Sequence, residues 1–104
     1  MGRMRFDVEC VKQCLKENGK VFTVRSYCLA NSNVWVDGVG ICRRIRSFEV
    51  KQKSDLERFV KLSGFKSVEE WWAKVCEFYG NKRKWLYLVK RLSKNDNSEI
   101  NVRM

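Results

Sequence analysis

Lys20, Thr23 and Arg25 stand within one short run, GKVFTVR over residues 19–25, and these types at this spacing could hold an anion. An ammonium supplies a mobile point charge. A guanidinium adds a flat fork of donors that meets phosphate or carboxylate oxygens in pairs. Alternation along the run puts Thr23 and Arg25 on one side of a strand and Phe22 and Val24 on the other, toward the core. Gly19 suits the left-handed residue that ends a helix, which brings Lys20 to the strand's mouth. The expectation is a concave basic site walled by Lys20, Thr23 and Arg25. The plain alternative is a surface strand, where these residues are common.

Further cations cluster with aromatics. Arg43, Arg44 and Arg46 crowd one stretch, Lys82, Arg83 and Lys84 form a second, Tyr79 and Trp85 flank the second, and Tyr27 follows Arg25. Stacked bases and neutralised phosphates would use this mixture, although charge runs are usually solvated faces and aromatics usually core. The chain's 22 Lys and Arg against 12 Asp and Glu leave a formal charge of +10, which favours a polyanionic partner. RNA or single-stranded nucleic acid is the expected partner, and a protein-interaction subunit would be favoured if the cations scatter evenly.

Five cysteines with no Cys-x-x-Cys pair, and no histidine, argue against a metal site built from Cys10, Cys14, Cys28, Cys42 and Cys76. Buried thiols acting as small apolar groups are expected instead, and no cofactor motif is present. No apolar run reaches membrane-spanning length, so a soluble, cytoplasmic protein without membrane association is expected. At 104 residues a single domain over residues 1–92, followed by a loose polar tail over 93–104, accounts for the chain.

The elements that must position these residues follow from periodicity. A strand over 4–8, a helix over 9–18 ended by Gly19, and a strand over 21–25 come first. Asp37-Gly38 predicts a hairpin turn between strands over 33–36 and 39–50, with a bulge near Arg46 and Ser47 where the apolar phase changes. Ser54 is the expected N-cap of a helix through Leu62. Ser67 opens another, which buries Val68, Trp71, Trp72, Val75 and Tyr79 before Gly80 stops it. A last strand over 85–92 is apolar on both faces. The order predicts an α+β domain with a bent, mostly antiparallel sheet and three helices.

A helix ending in Gly-Lys, the Lys-x-x-Thr-x-Arg strand, the Asp-Gly hairpin, the run SGFKSVEEW over 63–71, a helix ending Tyr-Gly and a final apolar strand together resemble the ASCH domain of the PUA-like superfamily. The likeness spans about residues 6–92. It implies a small β-barrel packed by helices, with a cleft beside the Gly-Lys strand and a role in RNA binding. It also implies an alternative, because some members are N4-acetylcytidine amidohydrolases that use a Lys, a Thr and a Glu, and another branch is credited with ribonuclease activity. Lys20 and Thr23 fall on the first two of those positions, where a desolvated Lys could serve as base for a Thr nucleophile. The place of the Glu reads Ser63-Gly64-Phe65-Lys66 and holds no acid.

Overall fold

The computed structural model describes residues 2–92; the tail expected over 93–104 lies outside the described residues. Five strands, β1 (Gly2–Met4), β2 (Lys20–Arg25), β3 (Ser32–Val36), β4 (Gly40–Val50) and β5 (Lys84–Arg91), make one sheet in the order β1-β3-β4-β5-β2. Every pairing is antiparallel except β1 with β3. This is the α+β architecture expected, but among the described residues β1 and β2 remain as separate edges and the sheet is open, so they do not form the expected barrel.

Gly19 adopts a left-handed conformation, φ 76°, and its amide bonds the Leu15 carbonyl, which ends α1 (Glu9–Asn18) as the sequence predicts. Arg91 Nη1 reaches across to donate to the Lys16 carbonyl at 2.9 Å and ties the helix end to β5. Strand β2 begins one residue earlier than expected, at Lys20 itself. Strand β1 ends at Met4, so residues 5–8, expected to be strand, instead form the link into α1.

The two faces of the sheet are covered differently. Val21, Val34, Val36, Cys42 and Val89 point to one face and pack against Val11, Cys14 and Leu15 of α1. Phe22, Val24, Val50 and Leu86 point to the other, against α2 (Val68–Tyr79) and a 3-10 helix at Lys53–Leu62. Each of the fully buried aliphatic side chains contributes about 1.5–3 kcal/mol.

The expected helix through Leu62 is present, as a 3-10 helix, but its cap is Gln52 in place of Ser54. Asp55 accepts the Lys51 and Gln52 amides at 2.9 and 3.2 Å, which starts the turn earlier. Three residues per turn then stack Leu56 and Phe59 on one line toward the sheet. In α2 the expectation holds: Ser67 Oγ accepts the Glu70 amide at 3.1 Å. The register slip between Arg46 and Glu49 is the expected bulge.

Between the 3-10 helix and α2 the chain rounds the free edge of β2. Ser63 is fully buried; its hydroxyl donates to the Val60 carbonyl at 2.7 Å and accepts the Phe65 amide at 3.0 Å. Gly64, φ +90°, lies so close to α1 that a Cβ there would collide with the Cys10 carbonyl. Phe65 then packs against both core clusters, and so links the layers on the two sides of the sheet.

Candidate nucleic-acid interface

A cleft of ≈ 90 Å³ opens at this edge, between residues 5–8, the outer end of β2, Phe65 and α2. By the same measure a single water needs about 10–15 Å³, so there is space for a group the size of a phosphate or part of a base. Thr23 and Arg25 line it from β2. Phe6, Phe65, Trp71, Phe78 and Tyr79 supply aromatic walls, and Arg5, Asp7 and Lys74 bring charge to the opening. Phe78 is 48% exposed there although it is a large apolar residue.

Arg25 is held from two sides. Its Nε donates to Thr23 Oγ1 at 3.4 Å and its guanidinium lies over the Phe6 ring, 4.7 Å from the centroid. Among the described residues no carboxylate pairs with it, whereas Arg5 pairs with Asp7 at 3.4 Å and Lys74 with Glu77 at 3.1 Å. Burial pushes the Tyr79 phenol above its ordinary pKa, and the nearby Arg25 charge pulls it back down. The cleft therefore has one uncompensated cation set among aromatic rings, an arrangement suited to an anionic group attached to a flat one.

Lys20 is not among the residues lining the cleft, which corrects the expectation of a three-residue wall. Because β2 starts at Lys20, the period of two applies to it, and it leaves the face of Phe22 and Val24, opposite to Thr23 and Arg25. Lys20 and Thr23 are therefore not brought together as base and nucleophile. Neither Glu49 nor Glu69 serves Thr23: Glu49 is clasped by Arg83 at 2.9 and 3.0 Å, which holds its carboxyl below the usual range, and Glu69 pairs with Lys53 at 3.7 Å, while the acid that lines the cleft, Asp7, pairs with Arg5 at 3.4 Å.

The other expected binding residues divide by burial. Arg44, 9% exposed, lies beside the packed rings of Tyr27 and Tyr87 and donates to the Ala30 carbonyl and Ser32 Oγ at 3.3 and 3.1 Å. Lys84, 7% exposed, donates to the Gly80 and Lys82 carbonyls at 3.0 and 2.7 Å. Both are withdrawn from any surface ligand, because a buried ammonium or guanidinium must satisfy its protons inside the protein. Tyr27 is half-buried and its carbonyl accepts the Tyr87 hydroxyl. Arg83 stacks on Trp85, 5.0 Å from its ring centroid, while Arg43 and Lys82 are exposed.

The cleft residues Arg5, Phe6, Asp7, Phe65, Lys74 and Phe78 were not singled out from sequence. For residues 5–7 the expected strand concealed them, since a link can present consecutive side chains to one cavity and a strand cannot. Two of the five cysteines, Cys14 and Cys42, are buried as expected; Cys10, Cys28 and Cys76 are exposed, and all five are free thiols. Among the described residues no helix is long and apolar enough to cross a membrane, and no group of His, Cys, Asp and Glu is placed to hold a metal ion. Comparisons with family models, curated proteins and solved structures find no match to this chain.

Proposed function

We propose that the protein is a nucleic-acid-binding module, for RNA ahead of DNA, that receives one nucleotide of a single strand in the cleft beside Thr23 and Arg25. The reading rests above all on Arg25, a guanidinium without a carboxylate partner among the described residues, set over Phe6 inside an aromatic cleft. Aromatic faces take unstacked bases of any sequence, and an Arg fork takes phosphate in pairs of hydrogen bonds. The formal charge of +10 adds a long-range attraction for the polyanion. The same proposal takes the chain as an ASCH-like module of the PUA-like type, in which the edge of β2 serves recognition and carries out no hydrolysis.

The test is titration of short fluorescent RNA and single-stranded DNA with the protein as salt is raised. Affinity should fall steeply with salt, with RNA bound more tightly than DNA of the same sequence. Arg25→Ala should weaken binding at least about fivefold, the loss of one charge-assisted contact, while the protein stays folded and loses only the ~0.5–1 kcal/mol of the Phe6 contact. A salt-independent affinity, or no binding to either oligonucleotide at low salt, rules the function out. Release of product from acylated cytidine or RNA by the wild type would return the hydrolase instead.

A further inference from the structure

The face of the sheet left open beyond the 3-10 helix carries a line of cations that the sequence does not reveal. Arg43 in β4 is the register partner of Lys90 in β5, and Lys90 is the partner of Lys20 in β2. Register partners leave the same face, so the three side chains stand side by side across three adjacent strands. With strands about 4.8 Å apart, the row is about 10 Å long. All three residues are exposed. Asn33 extends the row into β3 as the partner of Arg43, and its Oδ1 accepts from Arg43 Nη1 at 3.2 Å.

Like charges placed directly across strands repel, and a sheet held only for stability would alternate them with acids. Here none of the five ion pairs among the described residues includes Lys20, Arg43 or Lys90. Beside the row the exposed face continues with Trp35 and Ile41, register partners that are 42% and 39% exposed. Trp35 is steadied by its own Nε1, which donates to Asp37 Oδ1 at 3.0 Å, so its ring face is presented in a fixed orientation. A row of cations without carboxylate partners among the described residues, next to an exposed, hydrogen-bonded indole, matches the chemistry of a single strand: phosphates on one line, a base stacked alongside.

We propose that Lys20, Lys90 and Arg43 form a phosphate track for single-stranded nucleic acid across the open sheet face, with Trp35 as a stacking platform. The track is a second contact surface, on the opposite face from Arg25. It rests on the nucleic-acid reading above and names a surface that reading does not need. A row of about 10 Å matches the axial rise of about three nucleotides of a stacked strand, at ~3.4 Å each.

The experiment compares wild type, the triple variant K20Q/R43Q/K90Q, Trp35→Ala and R25A in binding a fluorescent oligo(U) strand between low and physiological salt. The triple variant should bind at least about tenfold more weakly at low salt, and its slope of log affinity against log salt should be shallower by about 2. Trp35→Ala should weaken binding without altering that slope. Melting temperature is read on the same samples; the triple variant should melt no lower than wild type, and higher at low salt, because the row's repulsion is removed. If wild type binds and the triple variant matches it in affinity and slope, the track is overturned while the cleft stands. If wild type binds no strand at low salt, the function fails with it.

Discussion

Arg43 and Arg44 are neighbours in β4 and leave opposite faces, and the two faces treat a guanidinium in opposite ways. On Arg44's side, α1 covers one end of the sheet and the link between β2 and β3 covers the other, pinned by the Tyr87 hydroxyl, which donates to the Tyr27 carbonyl and accepts the Leu29 amide. The cation there is buried beside a pair of tyrosine rings and donates to a carbonyl and a hydroxyl, with its Nε buried and unpartnered. On Arg43's side, α2 and the 3-10 helix reach only part of the sheet, and the cations of the uncovered part stand in a row. Coverage, more than residue type, decides whether a basic residue here serves folding or is available to a ligand.

The harshest way to break this arrangement is at the turn that holds the two layers together. Gly64→Ala should cost more than about 3 kcal/mol, since it combines a strained positive φ with a Cβ driven against the Cys10 carbonyl of α1. Urea denaturation measures it; a cost under about 1 kcal/mol would mean that α1 yields easily and the layers are not locked at this point.

The contrast between adjacent arginines should appear directly in stability. Arg44→Ala leaves the Ala30 carbonyl without this donor and a void beside the Tyr27–Tyr87 ring pair, and should cost about 2–3 kcal/mol. Arg43→Ala should stay within about 0.5 kcal/mol of wild type, as an exposed substitution. Equal losses in the two variants would erase the distinction between the faces.

A smaller effect is expected in alkali. Cys42, fully buried on the covered face, has its thiol pushed up to about 11 by burial, from 9.0, with Arg91 pulling slightly the other way. Between those values the unfolded chain loses the proton first and the folded one keeps it. The contribution is therefore intact below pH 9 and declines as pH rises toward 11, by at most about 1.4 kcal/mol per pH unit. Melting curves from pH 8 to 11 should show a decline that is shallower in Cys42→Ala; parallel declines would show that burial of this thiol is not its source.

What the sequence determined by itself is local. Gly19 as helix stop, Ser67 as cap, the Asp37-Gly38 turn, the bulge after Arg46 and the double-sided apolar pattern of β5 are each set by a few neighbouring residues, because backbone angles and caps are short-range. The place of Arg25 beside a cleft was legible for the same reason, through alternation with Phe22 and Val24. The side taken by Lys20 was not, since a shift of one residue at the start of β2 moves a side chain to the other face. Only the tertiary structure decided the strand order, the open edge where the cleft lies, and the burial of Arg44 and Lys84. It also joined positions 20, 43 and 90 into one row. Strand pairing is non-local, so residues far apart in the chain become neighbours through a register that no short stretch of sequence encodes.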